Sequence, residues 1–168
     1  TLLSIINDIL DFSKIESGKM EIVPVSYDVS SLVNDIVNMV RIRAEKKKLK
    51  FIYEIDENIP SMLYGDDVRI RQIITNILTN AVKYTPEGYV RLKMKVLNID
   101  NGVLRMEVSV TDTGIGIKED DMDKLFNSFQ RLDQQKNRSI EGTGLGMSIV
   151  QRLLTMMDSE LKVSSVYG

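Results

Sequence analysis

The segment from Gly65 to Thr85 constrains the fold of this chain most, because it predicts one long amphipathic helix with an unusual polar face. Its apolar residues recur at helical spacing: Ile70, Ile73, Ile74, Ile77, Leu78 and Ala81. At roughly 100° per residue, the polar residues of one face fall within an arc of about 80°: Arg69, Gln72, Asn76, Asn80 and Lys83. Asparagine is a poor helix former. Two asparagines at mid-helix therefore indicate a ligand-lining face, with a plain solvated face as the alternative.

Composition excludes several classes of function. The chain has 168 residues, of which 43% are hydrophobic and 27% charged, which suits one globular domain with an appendage or two small domains. A net charge of −2 argues against a nucleic-acid-binding surface, and no apolar run is long enough to span a membrane. The chain has no cysteine and no histidine. Disulfide chemistry, histidine catalysis and histidine metal ligands are therefore absent from these residues.

The remaining pattern predicts alternating helices and strands. Helices are predicted over residues 1–17, 31–48 and 118–130, and from the glycine-rich segment to about Met157. Strands are predicted over residues 20–27, 49–55, 62–64, 89–97, 103–112 and 161–166, with a hairpin turn at Asn101-Gly102. Asp28 and Ser30 are candidate caps for the second helix.

The first predicted helix has two adjacent apolar stripes, which is typical of a helical bundle or an oligomer interface. No capping signal precedes it, so we expect it to continue upstream of Thr1. Ser17-Gly18-Lys19 is predicted to end it as a hinge. The basic run Lys46-Lys47-Lys48 falls at another helix end, where a structural role is predicted.

The second hairpin strand ends in Asp112-Thr113-Gly114-Ile115-Gly116. Asp112 has the parity of the apolar residues before it, so its carboxylate is expected to point toward the apolar face. A carboxylate there needs a donor, and the exocyclic amine of adenine is one. Gly114 and Gly116 would let the backbone approach such a ligand. A bent turn with a solvated aspartate explains the motif equally well.

Gly142-Thr143-Gly144-Leu145-Gly146 precedes an apolar helix, where exposed backbone N–H groups favour phosphate oxygens. The spacing is neither that of a phosphate-binding loop nor that of a dinucleotide fingerprint. Asparagine offers an amide oxygen to Mg²⁺, and Lys83 and Arg131 can balance phosphate charge. The polar segment from Arg131 to Glu141 is a candidate lid. In this order the elements predict a nucleotide site.

These motifs resemble those of the ATP-binding catalytic domain of sensor histidine kinases, within the gyrase, chaperone, histidine kinase and mismatch-repair ATPase superfamily. The resemblance covers nearly the whole chain and rests on four motifs: Asn76-x-x-x-Asn80-Ala81-x-Lys83-Tyr84-Thr85, Asp112-x-Gly114-x-Gly116, Phe126-x-x-Phe129-x-Arg131 and Gly142-Thr143-Gly144-Leu145-Gly146. We therefore expect a two-layer α/β sandwich, in which a mixed sheet of about five strands packs on three longer helices.

The resemblance implies a role for each motif. Asn80 is expected to coordinate Mg²⁺, with Asn76 near the metal and the phosphates. Lys83 and Arg131 are expected to contact phosphate, and with Asn76 they are the implied catalytic residues. Tyr84 is expected to lie against adenine.

Asp112 is expected to accept from the adenine amine, which favours ATP over GTP. The other implied nucleotide-binding positions are Gly114, Gly116, Ile117, Gly142, Thr143, Gly144, Leu145 and Gly146. Phe126 and Phe129 are either the anchor of the lid or plain core residues.

The resemblance also implies a domain organisation. Residues 1–18 are similar to the end of the second helix of the dimerisation and phosphoacceptor hairpin, and residues 19–168 to the catalytic domain, with a lid at about 131–141 and a truncated last strand. The phosphoacceptor histidine is expected upstream of Thr1. Expected partners are ATP, a response-regulator receiver domain and a second copy of the chain through the hairpin. The residues present are expected to be cytoplasmic, with any membrane anchor outside them.

Asn76 distinguishes between the activities of the superfamily. Clamp-forming ATPases such as gyrase resemble one another in placing a glutamate at this position, where it can take a proton from attacking water. A carboxamide cannot do so. The expected function is therefore transfer of the ATP γ-phosphoryl group to a histidine upstream of the chain, for relay to a response-regulator aspartate. The alternatives are an ATP-hydrolysing clamp and an anti-sigma-type protein-serine kinase, and the bundle-like helix before Gly18 favours the histidine kinase.

Overall fold

The computed structural model describes residues 2–122 and 145–165. Its elements follow the α/β order predicted from the sequence: α1 Leu2–Glu16, β1 Val25–Asp28, α2 Val29–Lys46, β2 Lys50–Ile55, β3 Met62–Gly65, α3 Asp67–Lys83, β4 Tyr89–Asp100, β5 Val103–Asp112, α4 Glu119–Met122 and α5 Gly146–Met156. The α/β fold class is thus confirmed. Residues 20–24, predicted as strand, are not in one.

The five described strands form two sheets. β1 and β3 pair antiparallel with each other. The other three form a mixed sheet in the order β2-β4-β5, with β2 parallel and β5 antiparallel to β4. The predicted strand number and mixed pairing hold, but the strands do not share one sheet. Residues 161–165, predicted to begin a final strand, are not in a strand.

The chain consists of two compact units, and each unit has its own buried residues. The first comprises Thr1–Val23, Val68–Ile77 and Gly116–Gly168, and the second comprises Pro24–Asp67 and Leu78–Ile115. Within α3, residues Val68–Ile77 thus belong to the first unit, and Asp67 and residues 78–83 belong to the second.

The core of the second unit is formed mainly by α2 and β4. The periodicity of α2 places one apolar face inward, namely Val29, Leu32, Val33, Ile36, Val37, Val40 and Ala44. Alternation in β4 buries Val90, Leu92 and Met94. Asp28 caps α2 as predicted, because its Oδ1 accepts from the Ser31 N–H at 2.8 Å.

Lys47 connects the end of α2 to the end of α3 within the second unit. Its Nζ donates to the carbonyl oxygens of Val82 at 2.6 Å and Lys83 at 2.9 Å. These are carbonyls of the last helical turn, which lack partners within the helix. Burial lowers the pKa of the Lys47 ammonium. The predicted structural role of the basic run is confirmed for Lys47, which stabilises a second helix as well as its own.

The core of the first unit is a cluster that includes Ile73 of α3 and residues of α5. Its buried members are Met20, Ile73, Leu145, Ile149, Val150 and Leu153. Phe12 and Ile15, near the end of α1, pack against it. Arg152 of α5 pairs with Glu16 and lies over the Phe12 ring, 5.8 Å from its centroid. The end of α1 is therefore held by both apolar and charged contacts.

The beginning of α1 is exposed. Its apolar residues before Asp11 have large exposed fractions, from 38% at Ile5 to 73% at Leu2, and no described residue of α1 is buried. α1 ends at Glu16, and Gly18 follows with φ +70°. The Lys19 N–H donates to the Lys14 carbonyl at 2.9 Å, as in a glycine-based helix cap. The predicted wide apolar face and the end of the helix are both confirmed.

Candidate functional site

The polar face of α3 divides into two parts with different environments. Its N-terminal part faces α1 within the first unit. Gln72 accepts from Arg69 Nη1 at 2.7 Å and donates from Nε2 to Asp11 Oδ2 at 2.8 Å. Arg69 Nη1 also lies 3.5 Å from Asp11 Oδ1. These side chains therefore fasten α3 to α1, and Arg69 and Gln72 are engaged with protein partners.

Asn76 has a different environment, one turn further along the helix. Its Nδ2 is buried and has no hydrogen-bond partner within residues 2–122 and 145–165. An unsatisfied buried amide is costly, and native structures contain few of them. A ligand oxygen placed against this group would satisfy it. The amide thus fits a site for the oxygen-rich phosphates that the sequence motif predicts.

The end of α3 carries Asn80, Lys83 and Tyr84, and all three are half-buried. The Tyr84 N–H donates to the Asn80 carbonyl at 3.1 Å, which continues the helical turn past Lys83. The buried Thr85 then donates from Oγ1 to the Ala81 carbonyl at 2.6 Å. These two hydrogen bonds hold the backbone at the end of the helix. The side chains of Asn80, Lys83 and Tyr84 project from this hydrogen-bonded segment.

Asp112 lies at the end of β5, opposite Val90 in the β4–β5 register. Residues opposite each other share a face of the sheet, so Asp112 continues the face of the buried β4 row. The predicted direction of its side chain is confirmed. The residue is nevertheless exposed, because the strand ends there. Its Oδ1 accepts from the Gly114 N–H at 2.9 Å, which matches the alternative of a bent turn with a solvated aspartate.

Gly114 packs tightly against the end of α3. A Cβ at this position would collide with the Tyr84 carbonyl oxygen and would lie 2.9 Å from both Asp112 Oδ1 and Thr85 Oγ1. The Ile115 N–H donates to the Tyr84 carbonyl at 3.1 Å. The fold thus brings Tyr84, Asp112 and Gly114 together, as the nucleotide motif predicts.

The remaining described positions of the predicted site lie in the first unit. Gly116 has φ +74°, which favours glycine. The Ile117 N–H donates to Ser165 Oγ at 2.8 Å. Leu145 is fully buried in the apolar cluster and precedes α5 without a side-chain cap. A Cβ at Gly146 would meet no atom within 4 Å, so packing does not require glycine there.

Several predicted positions lie outside the described residues. They are Phe126, Phe129, Arg131, Gly142, Thr143 and Gly144, together with the candidate lid at about 131–141 and the end of the predicted last strand.

The sequence alone indicates no role for Asp11, Asp56 or Thr113, although each makes side-chain hydrogen bonds in the folded chain. Asp11 contacts Gln72, sixty-one residues away along the chain, so no local pattern could reveal the pair. Thr113 lies within the motif Asp112-Thr113-Gly114-Ile115-Gly116. This position is the one sequence feature that could have indicated a role for it.

Residues 2–122 and 145–165 contain neither a cluster of metal ligands nor a membrane-spanning helix. No group of three or more acidic side chains there could hold a metal ion. No helix of that part is long and apolar enough to cross a membrane.

Comparison with known families gives a match over residues 65–168. The matching family is described as histidine kinase-, DNA gyrase B- and HSP90-like ATPase.

Similar curated proteins carry histidine kinase names. Hybrid signal transduction histidine kinase B of Dictyostelium discoideum is 40% identical over 99% of this chain and 8% of its own length. The peroxide stress-activated histidine kinase mak2 of Schizosaccharomyces pombe is 37% identical over 100% and 8%. The histidine-protein kinase BarA of Escherichia coli K12 is 36% identical over 98% and 18%. The chain thus spans 8% to 18% of the length of these relatives.

Solved structures agree with this grouping. The full-length ShkA structure in complex with AMPPNP has a TM-score of 0.76 and 32% identity, over 94% of this chain and 31% of that one. The Acinetobacter baumannii histidine kinase AdeS has a TM-score of 0.67 and 21% identity, over 92% and 67%. The second likeness is one of fold.

Proposed function

Because the chain belongs to the family of histidine kinase-, DNA gyrase B- and HSP90-like ATPases, we propose that it is the ATP-binding catalytic part of a sensor histidine kinase. It passes the γ-phosphoryl group of ATP to a histidine, from which the group is relayed to an aspartate of a response-regulator receiver domain. The accepting histidine lies outside these residues, since the chain contains none. In this proposal residues 1–18 belong to the dimerisation and phosphoacceptor hairpin and residues 19–168 to the catalytic domain.

The observation that carries this proposal is the amide nitrogen of Asn76, which is buried and has no hydrogen-bond partner in the part of the chain that the structure describes. It is a hydrogen-bond donor that needs an oxygen, and a carboxamide cannot remove a proton from water. A position with these two properties suits phosphate binding without hydrolysis. It favours phosphoryl transfer to a supplied nucleophile over an ATP-hydrolysing clamp.

Mg²⁺ would be held through the amide oxygen of Asn80, four residues after Asn76 on α3. When bound, the ion neutralises charge on the phosphates. Lys83 is placed on the next turn of the same helix, where its ammonium balances phosphate charge. Catalysis by these residues consists of positioning and charge neutralisation, and Arg131 is proposed to share the second task.

Recognition of the base is assigned to the group formed by Tyr84, Asp112 and Gly114. The exposed Asp112 carboxylate accepts from the adenine amine, the Tyr84 side chain lies against the ring, and Gly114 allows close approach. The other nucleotide contacts are proposed at Gly116 and Ile117 and in the segment before α5: Gly142, Thr143, Gly144, Leu145 and Gly146. The backbone N–H groups in the first turn of α5 favour an anion near its N-terminus.

Magnesium-dependent ATP binding tests the proposal directly. We expect calorimetric titration to show ATP binding that weakens when Mg²⁺ is removed, and Asn80→Ala to abolish the difference. Asn38→Ala, at an exposed position of α2, is the matched control and should bind as the unaltered chain does. Absence of binding by the unaltered chain, or unchanged magnesium dependence in Asn80→Ala, would contradict the proposal.

A further inference from the structure

Thr113 lies between Asp112 and Gly114, and its side chain is bonded to the turn that joins α3 to β4. Its Oγ1 accepts from the Tyr89 N–H at 3.0 Å and donates to the Glu87 carbonyl at 3.1 Å. Its backbone N–H donates to the Tyr89 carbonyl at 3.2 Å. Thr113 thus joins the end of β5 to the turn through one hydrogen bond and to Tyr89, the first residue of β4, through two.

The turn is built around the Thr113 hydroxyl. Gly88, within the turn, has φ +106°, a conformation that favours glycine. A Cβ at Gly88 would collide with Thr113 Oγ1. The hydroxyl also accepts the hydrogen bond from the Tyr89 N–H. Tyr89 lies one position beyond Val90 and Asp112, the last register pair between β4 and β5. The hydroxyl therefore extends the strand pairing to the point where Asp112 is presented.

The position of the Asp112 carboxylate depends on the backbone conformation at that residue. Its Oδ1 accepts a hydrogen bond from the Gly114 N–H. Its Oδ2 accepts no hydrogen bond within residues 2–122 and 145–165. The residue is exposed, so side-chain packing does not immobilise it. The position of the free oxygen relative to Tyr84 is thus set by the backbone that Thr113 fastens. The hydrogen bond from the Ile115 N–H to the Tyr84 carbonyl also joins the residues after Asp112 to the end of α3.

We propose that Thr113 is a positioning residue for base recognition: its hydroxyl fixes Asp112 so that the free carboxylate oxygen meets the exocyclic amine of adenine. The inference rests on the proposed ATP-binding function. It adds a residue that touches no part of the nucleotide and acts through the residue beside it.

A nucleotide without the amine tests this role. Purine riboside 5′-triphosphate matches ATP except for that group, so it does not use Asp112. We expect the unaltered chain to bind ATP roughly tenfold more tightly than this analogue, because one hydrogen bond to a carboxylate is lost. Thr113→Val keeps the branched shape but removes both side-chain hydrogen bonds. It should bring the preference to within about twofold while leaving affinity for the analogue nearly unchanged.

Three reference variants frame the result. Asp112→Asn should lose the same preference, and Thr113→Ser, which keeps the hydroxyl, should retain it. Thr111→Val, at an exposed position of the same strand, should behave as the unaltered chain does.

An equal loss of affinity for both nucleotides in Thr113→Val, or an unchanged preference, would overturn the inference. Circular dichroism checks the fold, and Thr113→Ala repeats the test if Thr113→Val does not fold. Failure of both to fold would also overturn it, because the hydroxyl would then be needed for folding. If the unaltered chain binds neither nucleotide, the proposed function itself is wrong, and that result is obtained before any variant is measured.

Discussion

Gln72 and Asn76 are two carboxamide residues of one helix, and their hydrogen-bond partners indicate a structural role for the first and a binding role for the second. Gln72 uses its oxygen for Arg69 and its nitrogen for Asp11, so protein partners account for both ends. Asn76 has a buried nitrogen that lacks a hydrogen-bond partner among the described residues. Sequence spacing places both on one polar arc and cannot tell them apart. Their hydrogen bonds distinguish them, because a buried donor without an acceptor is uncommon and a ligand oxygen would satisfy it.

Replacing Asn76 should therefore affect binding more than stability. We expect Asn76→Ala to raise the Kd for Mg·ATP roughly tenfold. The free energy of unfolding without nucleotide should stay within about 1 kcal/mol of the unaltered value, because an unsatisfied donor is removed along with its packing. Calorimetry and urea unfolding measure the two quantities, with Asn34→Ala on the exposed face of α2 as control. Lost stability with unchanged affinity would assign Asn76 to the core.

Asp56 fixes the end of β2 to the irregular part of β4. Its Oδ1 accepts from the Asn58 N–H at 2.9 Å, and its Oδ2 accepts from the Val96 N–H at 3.0 Å, beside the register shift between Val96 and Asn98. Hydrogen bonds from the Asn58 backbone, then from the Val96 backbone, hold the pKa of the Asp56 carboxyl below its ordinary value of 3.8. The charged form is therefore the one that the fold stabilises.

This depressed pKa predicts a loss of stability in acid. Because the folded-state pKa is the lower one, the contribution of Asp56 is fully present above the unfolded-state value and declines as the pH falls through the folded-state value. We expect the stability difference between the unaltered chain and Asp56→Asn to be largest near neutral pH and to shrink below about pH 4. Urea unfolding at several pH values measures it. A difference that does not change with pH would show that the charge is unimportant.

At the scale of elements, α1 is joined to α3 and α5 by a few specific contacts. Phe12 and Ile15 pack against the apolar cluster of the first unit, and Asp11 bonds both Gln72 and Arg69. The Asp11 and Arg69 side chains are only 19% and 18% exposed. Removing the carboxylate therefore leaves donors that water reaches poorly.

We expect Asp11→Ala to lower the free energy of unfolding by about 1 to 2 kcal/mol. Ser13→Ala, at an exposed position of the same helix, should change it by less than about 0.5 kcal/mol. A double-mutant cycle with Gln72→Ala isolates the pair, and a coupling of about 1 kcal/mol is expected. Additive effects of the two substitutions would argue that the hydrogen bond contributes nothing to the docking of α1.

For the molecule as a whole, the proposed kinase activity requires a group that this sequence lacks. With no histidine in the chain and no base at Asn76, the proposed site would bind ATP without a means to consume it. We expect incubation with Mg·ATP labelled in the γ position to give neither stable label on the chain nor rapid phosphate release. Addition of a histidine-bearing helical hairpin from a matching kinase should produce label on that hairpin. Rapid phosphate release would instead support the clamp-type ATPase.

Assembly is the second whole-molecule prediction. The exposed apolar residues of α1 include Leu3 at 68% and Leu10 at 55%, and exposed apolar surface of this extent favours association. We expect sedimentation to show self-association that Ile6→Glu with Leu10→Glu abolishes. Ile42→Glu on α2, where the native side chain is 57% exposed, is the matched control and should leave it intact. A monomer at all concentrations would contradict the proposed homodimer.

The sequence alone determined the α/β class, the span of α3 and the β4–β5 hairpin, because periodicity and turn chemistry are local properties. It also located Asp112 and Gly114, since the motif lies within a few residues. The division of the strands between two sheets was not predictable, because strand pairing depends on contacts between distant segments.

The same reason applies to the polar face of α3, on which the sequence placed five residues in one arc. Only the tertiary structure decided that Arg69 and Gln72 contact Asp11, while the buried amide nitrogen of Asn76 finds no partner in residues 2–122 and 145–165. It likewise decided that Thr113 fastens the α3–β4 turn. Helical spacing fixes the direction in which a side chain points, and the groups it meets there come from other parts of the chain.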